Sequence, residues 1–321
     1  DDTGSMDTES HSDSGDTEDT EDTEDTGDTE DTDIEPADHT TAVLTTVASD
    51  YSTGSFATID LATGTVSDSL FVSSSDPAVS VDGGTVFQIN RGAATVRAYT
   101  PGDWTIPLWE VSTGELSNPQ HVKSCGDNLF VSLYGKSNLT ALNPETGAIA
   151  GTVDLSAYND SEGGAPEAST LVEADGKLYV GLQRFDSNYA GEGGMVVEVD
   201  CENLSAIQAW DVGHNTNVAE WKGSGKVLVA AEAFGDDLGG VYSIDTQDGT
   251  KTLIAEFASH KASRIATYGN TALVSGSTAD WSQYGIQCVD LDTGTATELY
   301  LGDSYINGMA ANNLGHAYVT A

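Results

Sequence analysis

One pattern constrains this chain more than any other: a short apolar strand with alternating small residues returns seven times. The copies are "TTAVLTTVAS" (40–49), "GTVFQIN" (84–90), "DNLFVSLYG" (127–135), "GKLYVGLQR" (176–184), "GKVLVAAEA" (225–233), "NTALVSGS" (270–277) and "GHAYVTA" (315–321). Val43, Val86, Phe130, Tyr179, Leu228, Leu273 and Tyr318 hold comparable places, separated by 43, 44, 49, 49, 45 and 45 residues. A period near 45 means one supersecondary unit per repeat, stacked on its neighbours.

Six copies follow another short strand, such as "PAVSVD", "QHVKSC" or "STLVEA", and six precede two more. The first of those two often ends in an acid-and-glycine turn, as in "SFATIDLATG" and "IQCVDLDTG". Four antiparallel strands per unit result, joined by short turns. A single such sheet cannot bury both faces. Stacked radially, each sheet covers the next, so the expected fold is all-β: a β-propeller of four-stranded blades over 40–321. The core is expected in the alternating apolar residues of the middle strands. Calling the strands A to D from the axis outward, the first unit (40–72) has B, C and D, and the last (306–321) has A and B. That count favours seven blades with an incomplete last one, with six blades as the alternative. It also leads us to expect that strands completing the last unit lie outside this sequence.

"AYVTA", "LYVGL" and "LFVSL", together with the following "D-x-x-T-G" strand ends, resemble the YVTN-type propeller repeats of bacterial surface and periplasmic proteins. The opening "AVLTTVASDYSTGSFATIDLATGTV" is similar to the first blade of the related lipoprotein propellers. The resemblance implies a propeller outside the cytoplasm, on the surface or secreted. It implies little about activity, because propellers host many unrelated functions.

Residues 1–39 are of another kind. Positions 1–38 carry 12 Asp, 6 Glu and no Lys or Arg, and "DTEDTEDTEDTGDTEDTD" (16–33) is a low-complexity acidic repeat. Such a segment has too little apolar surface to offset its chain entropy, so a disordered, self-repelling linker is expected. It resembles the spacer that follows the lipid-modified cysteine of surface lipoproteins, which would make the membrane a partner only through an upstream anchor. The whole chain has 52 acidic and 11 basic residues, a formal charge of −41. That charge argues against nucleic acid as a partner, because phosphate needs Lys and Arg. The three cysteines, Cys125, Cys201 and Cys288, form no C-x-x-C pair and are odd in number. They predict neither a disulfide framework nor a zinc site. Cys288, in the apolar run "GIQCVDL", reads as a small buried residue.

In a propeller the A–B and C–D hairpins share one face, and the B–C and D–A connections share the other. Here the A–B turns are short ("DGG", "CGD", "ADG", "GSG") and the B–C and D–A connections are long, as in "RFDSNYAGEGG" (184–194) and "TADWSQYG" (278–285). Long loops on a rigid scaffold concentrate binding residues, so the B–C and D–A face is the expected ligand face. The B–C loops supply Tyr134, Phe185, Tyr189, Phe234, Asp236, Trp281 and Tyr284. Aromatics beside carboxylates suit sugar rings or cationic groups, unless they merely tuck onto blade edges. The D–A connections add Gln120, Glu167, Asn217, Arg264 and Asn307 toward the mouth of the axial channel.

His121, His214 and His260, with Asp76, fall in the same connections. Imidazole and carboxylate suit zinc or copper, so no cofactor is required by the sequence but a divalent cation is possible there. The recurrent D-x-x-T-G is better read as a hairpin turn than as a calcium loop, since it lacks the further ligands. There is no G-x-S-x-G elbow, P-loop or haem-attachment motif. A binding module for a glycan, peptide or protein is therefore expected ahead of an enzyme. The alternatives are a metal-binding protein or metal-dependent enzyme at the channel mouth, and a structural cell-surface component.

Overall fold

Alternating branched and small residues, punctuated by glycine turns, leave this chain one way to satisfy its backbone, namely hairpins laid side by side. The computed structural model describes residues 40–70, 72–185, 193–232, 239–312 and 315–320. Residues 1–39 lie outside them, and every strand belongs to the unit Asp38–Ala321.

The strands pair into six antiparallel sheets among the described residues, one of seven strands; divided within its long shared strand, these make seven blade-like units, numbered here as sheets 1–7. Sheet 1 is β1 (Thr41–Val47), β2 (Gly54–Asp60) and an outer strand in two pieces, β3 (Val66–Ser67) and β4 (Val72–Ser73), both paired to β2. Sheet 2 runs β5 (Pro77–Asp82), β6 (Thr85–Asn90), β7 (Thr95–Tyr99), β8 (Trp109–Ser112). Sheet 3 runs β9 (Pro119–Cys125), β10 (Asn128–Leu133), β11 (Asn138–Leu142), β12 (Ile149–Asp154). Sheet 4 runs β13 (Ala168–Ala174), β14 (Lys177–Leu182), β15 (Gly194–Asp200) and the first part of β16 (Ser205–Trp221). The same 17-residue strand then opens sheet 5, followed by β17 (Lys226–Glu232), β18 (Gly240–Asp245) and β19 (Lys251–Glu256). Sheet 6 runs β20 (Ile265–Tyr268), β21 (Thr271–Ser277), β22 (Tyr284–Asp290), β23 (Thr295–Gly302). Sheet 7 has two strands, β24 (Gly308–Ala311) and β25 (Ala317–Thr320). The strand order within each unit and the seven-sheet count are those the repeat predicts. The described residues contain no helix long and apolar enough to cross a membrane.

The innermost strands of successive sheets touch one another along the series from β1 to β24. Hydroxyl side chains on these and the adjoining strands knit the sheets, and sheets 4 and 5 are also joined through their shared strand β16. Thr45 Oγ1 donates to the Pro77 carbonyl at 3.3 Å, and Ser80 Oγ accepts from the Val122 N–H at 3.2 Å. Ser132 Oγ donates to the Ser169 carbonyl at 2.5 Å, Thr170 Oγ1 accepts from the Val218 N–H at 2.8 Å, and Thr267 Oγ1 donates to the Glu220 carbonyl at 2.9 Å. Further out, Trp109 Nε1 donates to Pro144 O at 2.9 Å and Trp210 Nε1 to Gly249 O at 2.7 Å, each reaching the C–D turn of the next sheet.

Those turns explain D-x-x-T-G. Asp60, Asn143, Asp200, Asp245 and Asp290 each accept two backbone N–H bonds from their own turn through one side-chain oxygen. The acidic residue is thus a turn cap, as the sequence reading favours. The closing glycine meets two demands at once. Gly147 has φ +67, and a Cβ there would sit 2.6 Å from the Trp109 ring.

Four of the seven repeat-equivalent core residues, Val86, Phe130, Tyr179 and Leu228, are 0–1% exposed. Val43, Leu273 and Tyr318 are only half-buried, against expectation. The reason is local. Val43 lies on the edge strand of sheet 1. Ala272, Val274 and Val289 of sheet 6 join the core cluster shared with sheet 5, so Leu273 points the other way, toward the two-stranded sheet 7. Cys288 pairs with Leu273 in register and is likewise half-buried rather than buried.

The cysteine expectation is corrected too. Cys125 and Cys201 form a disulfide across 76 residues, with Cα atoms 5.8 Å apart. It ties the end of β9 in sheet 3 to the C–D turn of sheet 4, and Cys288 is the free thiol. No spacing rule could show this pairing, because only ring packing brings the two turns together.

Candidate functional site

Positive φ recurs where the chain enters an inner strand on the B–C and D–A face. Asn118 (φ 47) and Glu167 (φ 58) immediately precede β9 and β13, and Asn215 (φ 50) sits at the irregularity where β16 passes into sheet 5. Several expected ligand residues serve this local geometry. Gln120 Nε2 donates back to Asn118 Oδ1 at 2.7 Å. Asn217 is buried and donates to the Asn215 carbonyl at 3.0 Å.

Tyr134, Glu167 and Phe185 do come together, as a clasp between sheets 3 and 4. Glu167 Oε2 accepts the Phe185 N–H at 2.7 Å. Burial pushes the Glu167 carboxyl up, against the hydrogen bonds from Phe185 and the Tyr134 hydroxyl. Arg264 is half-buried, with its carbonyl accepting from Ser275 N–H at 2.9 Å. Asn307 is exposed, and its N–H donates to Thr320 O at 2.8 Å. Tyr189, Phe234 and Asp236 lie outside the described residues.

The expected metal ligands do not converge. Among the described residues, no three His, Cys, Asp or Glu side chains form a group able to hold an ion. Asp76 pairs with Arg91 at 3.2 Å. His121 accepts the Leu171 N–H on Nδ1 at 3.4 Å. Burial, with Lys123 nearby, pushes its pKa down to about 4 despite Asp82. His214 is shifted down by burial, against Glu232. His260 is enclosed by Ser259, Gln287 and Glu298.

Trp281 and Tyr284 carry the site. They line a half-open cleft of about 350 Å3, mouth included, between the B–C loop of sheet 6, the Glu232 end of β17 and the connection to sheet 7. The loop 278–283 is pinned from within. Asp280 Oδ1 accepts Thr278 Oγ1 at 2.7 Å, Ser282 Oγ at 2.7 Å and the Ser282 N–H at 3.1 Å. These bonds, Thr278 foremost, hold its carboxyl down to about 2. The loop so fixed presents Trp281 at φ 60, 53% exposed. Lys261 Nζ lies 4.9 Å from the centre of its ring. Across the cleft, Tyr305 is 50% exposed and meets Tyr284 edge-on, ring centres 5.2 Å apart.

The floor is polar and preorganised. Glu232 is 8% exposed, paired with Lys261 at 3.2 Å and accepting Asn215 Nδ2 at 3.1 Å. Asn215 Nδ2 also reaches Ser263 Oγ at 3.1 Å, and Gln183 Nε2 donates to Asn215 Oδ1 at 3.1 Å. Ser277, on the cleft wall, is 3% exposed, and its Oγ has no hydrogen-bond partner. A fixed aromatic wall over such a floor can hold a small amphipathic ligand in one orientation.

Sequence reading missed Asn215, Glu232, Lys261, Ser263, Ser277 and Tyr305. Asn215 could have been found as a D–A position near the equivalent of Asn118, and Ser263 as the equivalent of Gln120. Tyr305 stands two residues from Asn307 in the same connection. Nothing in the sequence singles out Glu232 among so many acids.

No family model matches the chain, and no curated protein matches it. Solved structures do. A chain in the crystal structure of a mitotic checkpoint complex aligns at 12% identity over 87% of this chain and 90% of that one, TM-score 0.62. Kuenenia stuttgartiensis hydrazine synthase aligns at 12% identity over 86% and 91%, TM-score 0.60. BamB from Moraxella catarrhalis aligns at 14% identity over 86% and 80%, TM-score 0.50. Identities this low show shared architecture and nothing finer. With the seven radial sheets, they identify the chain's fold as a β-propeller.

Proposed function

We propose that this protein is an extracytoplasmic binding module whose B–C and D–A face holds its ligand in the Trp281 cleft. The observation carrying the reading is the exposed indole, fixed by the Asp280-capped loop, above a polar array of buried Glu232 with half-buried Asn215 and Lys261. Large exposed aromatics over satisfied polar groups cost solvation and serve no core. The Cys125–Cys201 disulfide supports an oxidising compartment. The acidic segment 1–39 acts as a tether to the cell surface. A charge of −41 directs the protein away from nucleic acid. Glycan, peptide and protein ligands all fit at this level.

Glycan and peptide arrays probed with the whole chain test the reading. Binding that drops at least about tenfold in Trp281→Ala, with an unchanged melting curve, supports it. Binding that is indifferent to Trp281→Ala removes the cleft from the function.

A further inference from the structure

Resting on the binding role above, the geometry points to one ligand class for the cleft: we propose that it is a subsite for a pyranose unit of a neutral oligosaccharide. A pyranose has an apolar C–H face and a belt of hydroxyls. The C–H face needs a flat, electron-rich ring, and the hydroxyls need donors and acceptors close beside it. Trp281 and Tyr305 supply exposed rings on a loop and a connection that flank the same cleft. Lys261 stands over the Trp281 ring, yet the indole remains more than half exposed.

The polar groups suit hydroxyls better than ions. Lys261 already neutralises Glu232, so neither an ammonium nor a carboxylate ligand finds an unpaired countercharge. Glu232 retains acceptor capacity, since an ionised carboxylate offers about four lone-pair sites and Asn215 and Lys261 occupy two. Ser263 Oγ accepts from Asn215 and keeps its own proton to donate. Ser277 is the strongest pointer. A hydroxyl that is 3% exposed and unpaired costs stability unless something meets it, and it stands on the wall of this cleft.

An extended peptide is disfavoured by the same walls. They offer side chains and no free strand edge, so capture of a peptide by strand addition is the mode they disfavour.

The experiment titrates the whole chain with neutral gluco-, manno- and galacto-oligosaccharides, following tryptophan fluorescence and heat. Choline and a basic peptide are run beside them. The expected result is binding of at least one neutral sugar. Trp281→Ala should weaken it at least about tenfold and Trp281→Phe should restore part of it. Ser277→Ala is the sharper variant. Deleting an unpaired hydroxyl leaves stability the same or higher, while sugar affinity falls about three- to tenfold. Trp281-dependent binding of choline or the basic peptide, with no sugar bound, overturns the saccharide inference and leaves the binding role standing. Sugar binding untouched by both variants places the sugar elsewhere and overturns it too. Silence from every probe overturns the saccharide inference and leaves the binding role to the array test above.

Discussion

Replacing Cys125 and Cys201 together by alanine removes the one disulfide cross-link between two sheets among the described residues, and its worth can be worked from the chain. The bond closes a loop of 76 residues. In the chain-entropy treatment, the constraint on the unfolded state is about 15 cal/mol/K for that length, or about 4.5 kcal/mol at 25 °C. Both residues are 2% exposed and belong to the core shared by sheets 3 and 4, so the alanines leave only small gaps. For a unit the size of Asp38–Ala321, that loss corresponds to a melting temperature lower by about 7–8 °C. Urea and thermal unfolding, read by tryptophan fluorescence and circular dichroism, measure the difference. Thiol titration of the denatured, unreduced protein should find one reactive group, Cys288, and reduction should release the other two. Three thiols before reduction, or a double variant within about 1 kcal/mol of the parent, would refute the reasoning.

Gly147→Ala puts a Cβ against the Trp109 ring at φ +67, so a loss of about 1–3 kcal/mol is expected in urea unfolding. Position in the ring should grade equivalent core residues: Phe130→Ala, fully buried, costs about 3–5 kcal/mol, whereas half-buried Leu273→Ala costs clearly less by the same assay. The pH dependence follows from His121, whose folded pKa is about 4 against 6.5 unperturbed, chiefly through burial. The folded state therefore binds fewer protons than the unfolded one. Stability contributed by the neutral ring is whole above pH 6.5 and is lost as pH falls toward 4, by at most about 3 kcal/mol. His121→Gln should flatten the measured stability profile across that window.

The repeat was legible because its physics is local. Alternation in "DNLFVSLYG" and turn chemistry in "IQCVDLDTG" specify strands and hairpins within about 45 residues, and one such sheet cannot stand alone. Hence the seven sheets, their strand order and the turn role of Asp290 were readable in advance. Loop lengths alone also singled out the B–C and D–A face, and Trp281 and Tyr284, which line the cleft there, were named from it.

What the sequence by itself determined is thus the blade: which residues become strands, where they turn, and that blades must stack. Only the tertiary structure decided what stacking brings together. It joined Cys125 to Cys201, 76 residues apart. It set Asn215, Glu232 and Lys261 beside Trp281, and it dispersed His121, His214 and His260, which sequence alone had grouped. It also left Leu273 and Cys288 half-covered, because their cover comes from the two-stranded sheet 7 and not from their own repeat. The physical reason is the same throughout. A hairpin is stabilised by neighbours in sequence, whereas a cleft, a disulfide and the burial of a face depend on the neighbouring blade, whose contacts leave no periodic trace in the chain.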